Sequence, residues 1–306
     1  MASAIGIFDI RECIWDSPLL KFLNVKTSNL PPIAEDHQTL RLNRRFARRW
    51  PRLADAAWFP AIGDGAANNI GSGCVSKKRA ALMIGTSGAM RVAYRGEPPK
   101  KIPDGLWCYR IDRERAVIGG ALSDGGGLYD WLKENVRLPS NAERVIAKRQ
   151  PAAHGLTFLP FFAGERSTGY HENAHGAVLG LTAANHPIDI LQAAMEAVGF
   201  RFAEIFDQLH EVADIKEIVA SGGALRASSV WTQMIADILG RDITLVEAPE
   251  ASLRGVALAS LERIDSAIHE PSLRGTRFTP DQNAQTVYSD ARALHEQAYL
   301  KAFGES

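Results

Sequence analysis

The stretch Gly169–Val178 contains His171-Glu172-Asn173-Ala174-His175, the H-E-x-x-H spacing of zinc hydrolases. That chemistry needs both histidines one turn apart on a helix, a third ligand, and the glutamate beside a metal-bound water. Here the five residues lie between Gly169 and Gly176, with no apolar periodicity around them. The spacing therefore predicts a loop and no metal site. A second candidate is Asp64 in the stretch Phe59–Cys74, FPAIGDGAANNIGSGC. A carboxylate on a turn among small residues suits a general base facing a small substrate, and it equally suits a turn aspartate or helix cap. Three glycine turns complete the set. Ile84–Met90, IGTSGAM, offers backbone N–H groups and the hydroxyl of Thr86 beside Gly85, where an anion could be held. Leu122–Leu132, LSDGGGLYDWL, puts Gly126 at a helix start, which suits either phosphate on free N–H groups or close helix–sheet packing. Val219–Ser228, VASGGALRAS, ends a strand in Gly222-Gly223, against which a flat ring could lie. No G-x-x-x-x-G-K-[ST], G-x-G-x-x-G or G-x-S-x-G occurs at these turns, so a P-loop, a dinucleotide fold and a nucleophile elbow are not supported.

The elements that must position these residues follow from hydrophobic periodicity. ALMIG and AMRVAY, joined by Thr86-Ser87-Gly88, read as strand, turn and strand, and LWCYRI and AVIGG as two more strands. Asp124 is expected to cap the helix that follows. After a glycine-rich excursion over 139–185, Leu191, Ala194, Val198, Phe202, Ile205 and Leu209 mark the buried face of a long helix with Pro187 in its first turn. EIVAS and ITLVE are strands that alternate with helices, the first of which stops at Gly240. Antiparallel strands first and strand–helix alternation afterwards predict an α/β fold of ribonuclease-H-like type, a mixed sheet flanked by helices. Ahead of it, Leu42, Phe46, Trp50 and Leu53 share one face of an Arg-rich segment, which predicts a helix with a docked apolar stripe.

Bulk properties narrow the function. The 306 residues suffice for a large core, and 46% hydrophobic with 23% charged residues is ordinary for a globular protein. Lys+Arg and Asp+Glu both number 35, so no global field draws the chain to nucleic acid or to a membrane surface. Three separated cysteines, Cys13, Cys74 and Cys108, make no disulfide framework. With no basic-then-apolar leader, this points to the cytoplasm.

Four stretches stand in a fixed order: GDGAANNIGSG, MIGTSG, FLPFFAGERSTG with HGAVLGL, and ASGGALRASSVWTQMIADILG. Together they resemble the FGGY carbohydrate kinases, and LPFFAGERS with PAIGDGAANNIGSG resembles the gluconate kinase branch. The resemblance implies two actin-like ATPase lobes with ATP and Mg2+ in the cleft, and transfer of the γ-phosphoryl group to a sugar or sugar acid. It implies Asp64 as the general base, Gly85 and Thr86 as a phosphate loop, Gly126 near the nucleotide, and Gly222 with Gly223 in the adenosine motif. Ala227 stands where many members carry Ser or Asn, and His175 near a position where relatives carry Arg. Glu165 and Arg166 fall in a family stretch and serve either as a loop-stabilising ion pair or at the substrate. No D-x-G-T phosphate loop occurs, so the expectation is a kinase lacking most of its first lobe. On that reading residues 1–75 are the lobe remnant and hinge with the catalytic Asp, and residues 76–306 are the nucleotide-binding lobe. Such a chain could be inactive alone, and a non-catalytic interaction protein is the competing reading. An uncovered lobe leaves a homodimer open.

Overall fold

The structure, a computed structural model, describes residues 1–247, 250–265 and 273–304. The first segment is made of small pieces. β1 (Phe8–Asp9) and β2 (Ile14–Trp15) form an antiparallel pair. The Asp16 carboxylate then accepts the Leu19 N–H and starts α1 (Ser17–Phe22). α2 (Arg44–Arg49) begins where the Asn43 side chain accepts the Phe46 N–H. The expected docked stripe is not realised. Pro51 has no N–H to continue the helix, so α2 stops after six residues, and Trp50 and Leu53 remain 44% and 42% exposed. α3 (Asp64–Gly71) follows.

The main body is a seven-stranded mixed sheet. β3 (Arg79–Ile84), β4 (Gly88–Arg95), β5 (Trp107–Arg110) and β6 (Arg115–Leu122) supply its antiparallel half. α4 (Gly126–Asn135) and α5 (Ala142–Ile146) then lead into the excursion, where β7 (Thr157–Leu159) and β8 (Ala177–Leu179) pair with each other. α6 (Pro187–His210) leads to β9 (Glu217–Ser221), α7 (Gly223–Ala227), α8 (Ser229–Leu239) and β10 (Ile243–Val246). α9 (Ala251–Ile264), β11 (Gly275–Phe278) and α10 (Gln282–Phe303) complete the chain. The strand order is β11-β10-β9-β3-β4-β6-β5. β9 is parallel to both β3 and β10, and the other pairs are antiparallel. The α/β architecture expected from the alternation of elements is thus observed. β11 and the β7–β8 pair are additions.

The two faces of the sheet differ in residue size. Leu82, Ile84, Met90, Val92 and Ile118 point to one face and join the core built on α6, where Leu191, Val198, Phe202, Ile205 and Leu209 are fully buried. Each such side chain stabilises the fold by about 1.5–3 kcal/mol. The other face carries small residues, among them Ala81, Ala89, Ala93 and Gly119, by the alternation of a strand. α3 lies against it. The buried Asn69 side chain of α3 donates to the Arg91 carbonyl on β4 and to the Cys74 carbonyl. α9 crosses α3 at two glycines. A Cβ on Gly71 would stand 1.8 Å from the Ala251 carbonyl oxygen, and one on Gly255 1.8 Å from the Ala67 oxygen. Only glycine permits that approach.

Asp124 does not cap α4. Its buried carboxylate accepts the Ala163 N–H from the excursion at 3.0 Å, and Gly125 occupies the cap position. Burial pushes the Asp124 carboxyl above the usual range. The excursion is fixed a second time by Glu165, which is buried and takes hydrogen bonds from Arg201, the Gly169 N–H and the Tyr299 hydroxyl. Among the described residues, no helix is long and apolar enough to cross a membrane.

Candidate active site

Parallel pairing explains how two distant glycine turns meet. β3 and β9 run side by side in the same direction, so the turn after β3 (Gly85–Ser87) and the turn after β9 (Gly222–Gly223) emerge at the same end of the sheet. A cavity of about 830 Å3 opens there, lined by Gly85, Thr86, Gly126, Gly223 and, deeper, by Tyr129 and Trp231. Gly222 has φ +107°, and a Cβ there would lie 2.2 Å from the Ile84 carbonyl oxygen, so this position closes β9 onto β3. Gly223 has nothing within 4 Å of its Cβ position and faces open space.

The turn after β3 is held from behind. The N–H groups of Gly125 and Gly127 donate to the Thr86 carbonyl, and that of Gly126 to the Gly85 carbonyl. The amides at the start of α4 are therefore occupied by the turn itself and do not face an anion, so of the two readings of this glycine run, close packing is the one observed. A Cβ on Gly126 would stand 2.6 Å from the Gly85 oxygen and 2.9 Å from the Ala224 Cβ. Thr86 is exposed, and its amide and hydroxyl make no hydrogen bond among the described residues. Those groups are free for a ligand oxygen.

The far end of the cavity is aromatic. Tyr129 and Trp231 stack with centroids 6.1 Å apart at 25°. The Trp231 indole N–H donates to the Met195 carbonyl at 3.0 Å, and its backbone N–H to the Ser228 hydroxyl at 3.0 Å. Ser228 and Tyr129 both donate to Glu143, at 2.7 and 3.2 Å. Burial and the Glu143 charge push the Tyr129 hydroxyl up to about 12, so it stays a donor. Ala227 lines the same wall. The sequence singles out none of Tyr129, Glu143 and Trp231, because Tyr129 and Trp231 sit inside ordinary helix patterns and Glu143 lies in the stretch read as the excursion.

Asp64 lies outside this cavity, as the first residue of α3, and its side chain is exposed. Its Oδ1 accepts the Gly65 N–H at 2.7 Å. Beneath it, a Cβ on Gly65 would meet Arg91 Nε at 2.8 Å and the Tyr109 hydroxyl at 2.9 Å, which is why glycine follows the aspartate. Burial lowers the Arg91 pKa and raises that of Tyr109. His171 and His175 are in a loop, as the sequence indicated. His171 stacks on Phe303 at 5.5 Å, and the described residues contain no cluster of three or more metal-ligating side chains. Glu165 pairs with Arg201 rather than Arg166, which is exposed.

A mixed sheet with glycine turns at the ends of two parallel strands, a nucleotide-sized cavity between them and a displayed carboxylate defines an actin-like ATPase lobe. Residues 80–261 match the C-terminal domain of the FGGY family of carbohydrate kinases, and the chain belongs to that family. It is 27% identical to a gluconokinase of Bacillus subtilis, in an alignment covering 94% of this chain and 60% of that protein. It is 25% identical to a glycerol kinase of Rhizorhabdus wittichii, over 100% of this chain and 60% of that protein. The chain thus spans about 60% of the length of these relatives. Its fold superposes on a gluconate kinase of Lactobacillus acidophilus with a TM-score of 0.85, at 22% identity, covering 98% of this chain and 63% of the other. A ligand-bound xylulose kinase of the same organism gives 0.86 at 22% identity, covering 97% of this chain and 63% of that one.

Proposed function

We propose that the chain carries the general base and the nucleotide-holding wall of an ATP-dependent kinase for a sugar or sugar acid of gluconate type. The observation that carries this reading is the convergence of Gly85, Thr86, Gly126 and Gly223 on one cavity with an aromatic floor. The residues present fit a nucleotide: Tyr129, backed by the buried Trp231, offers flat apolar surface for a base, Gly223 leaves room for the ribose, and the free amide and hydroxyl of Thr86 suit phosphate oxygens. Bound ATP, with Mg2+ on its phosphates, supplies the group to be transferred. No carboxylate cluster among the described residues offers the metal a separate seat.

Asp64 takes the proton of the attacking hydroxyl as its oxygen bonds to the γ-phosphorus and ADP departs. α3 fixes the direction of this carboxylate, and the crossing of α3 with α9 fixes α3. Residues 1–75 serve as the hinge-side segment and residues 76–306 as the nucleotide lobe. ADP release from ATP with gluconate, xylulose or glycerol, together with calorimetric titration of ADP, tests the reading. Saturable ADP binding that is weakened in Gly223→Ala supports it. Absence of nucleotide binding at millimolar concentration refutes it.

A further inference from the structure

Arg91 has a charge with no partner. It sits mid-strand on β4, is 8% exposed, and neither Nε nor Nη1 has a hydrogen-bond partner among the described residues. Its guanidinium lies under the first turn of α3, against the bare Cα of Gly65, with the Trp107 ring 5.8 Å away on one side. Neighbouring groups do not neutralise it. Asp64 attracts it through space but forms no ion pair with it and bonds to the Gly65 N–H. Tyr109 is an uncharged phenol engaged with the Ala66 N–H. Arg166, which is exposed, is a second cation that repels it. The positive end of α3 adds to the same field. A buried, unpaired guanidinium costs several kcal/mol, and such a cost is offset when an anion arrives.

From these features we propose that Arg91 is the specificity residue that receives the carboxylate of a sugar-acid substrate, with the exposed Arg166 as the second cation in its field. The proposal rests on the kinase reading above and names the group that would separate an acid from a neutral sugar. A carboxylate fits better than the transferring phosphoryl group. Arg91 lies three residues along β4 from Gly88, about 10 Å from the turn that carries Thr86, and it does not line that cavity. Nη2 is the one guanidinium nitrogen that is not fully buried, and it shares an edge with Nε, so a carboxylate reaching Nη2 could form a side-on pair that satisfies Nε.

The test is calorimetric titration of the full chain, in the presence of ADP, with gluconate and with glucitol, which share a six-carbon polyol chain and differ in the carboxylate. Gluconate is expected to bind at least tenfold more tightly. Arg91→Met should bring gluconate down to the level of glucitol and leave glucitol unchanged, and Arg91→Lys should keep part of the preference. Thermal unfolding gives a second readout. Arg91→Met should melt no lower than the parent, because an unpaired buried charge has been removed. Equal affinity for the two compounds, no binding of either, undiminished gluconate binding in Arg91→Met, or a lowered melting point with loss of both ligands would each overturn the proposal. ADP release separates this from the kinase reading. Gluconate bound through Arg91 with neither nucleotide binding nor ADP release defeats the kinase reading and leaves the carboxylate site standing. Turnover of both compounds with equal kcat/KM does the reverse.

Discussion

The crossing of α3 and α9 can be tested by one methyl group. In Gly255→Ala the new Cβ would stand 1.8 Å from the Ala67 carbonyl oxygen, where an ordinary contact is about 3.5 Å. Both partners are helix backbone, so no side chain can swing away, and the helices must part by about 1.5 Å. Overpacking of this kind costs about 1–3 kcal/mol. The upper end applies, because α3 is also pinned to β4 by the Asn69 hydrogen bond and is buried from Gly65 to Gly71. At roughly 2–4 °C per kcal/mol, a loss of about 3 kcal/mol lowers the melting point by roughly 6–12 °C. Asp64 moves with α3, and displacement of a base by about 1 Å costs roughly 100-fold in turnover. ADP affinity should hold, since α9 does not line the nucleotide cavity. Differential scanning fluorimetry and ADP calorimetry read both effects, and Gly223→Ala, with open space around its new methyl but a place on the cavity wall, should show the reverse pattern, an unchanged melting point with weaker ADP binding. An unchanged melting point in Gly255→Ala would refute the argument that this helix contact sets the position of the base.

Other substitutions separate the parts of the site. Thr86→Val keeps the methyl that sits near Gly127 but removes the free hydroxyl, so ATP affinity should fall by about tenfold or more at constant melting point, measured by competition titration. Arg201→Met leaves the Glu165 carboxylate buried without its cation and should cost about 3–5 kcal/mol in urea unfolding. His295 is 1% exposed, and burial, followed by the Arg201 and Arg292 charges, lowers its pKa to about 3. Its folded pKa is below the unfolded value of about 6.5, so its contribution is complete above that pH and is lost as pH falls toward 3. Stability should drop by up to about 1.4 kcal/mol per pH unit below pH 6 from this group, and His295→Phe should remove that slope in urea titrations at stepped pH.

Much of the fold is legible because its signals are local. The β3–β4 turn announces itself by Thr86-Ser87-Gly88 between apolar runs, α6 by its periodic core face with Pro187 at its start, and the end of α8 by Gly240, which adopts the left-handed conformation. What failed depends on contacts across the chain. Asp124 has the local credentials of a cap, yet its carboxylate is taken by Ala163. The stripe of α2 has the right spacing, but Pro51 cuts the helix short. Arg91 alternates with Met90 and Val92 as a solvent-facing residue would, and only the packing of α3 over it shows that it is buried. Gly71 and Gly255 read as unremarkable helix glycines until their backbones are seen to touch.

That contact also limits how the molecule can be divided. The matched family domain starts at residue 80, beyond α3, yet the groove that α3 fills on α9 lies within the match. A fragment cut at that border would keep the nucleotide cavity but uncover the strip around Ala251 and Gly255 together with the small-residue face of β3 and β4. The α3–α9 contact ties the segment that carries Asp64 to the lobe that carries the cavity, so a fragment meant to bind ADP in isolation should begin ahead of Gly63.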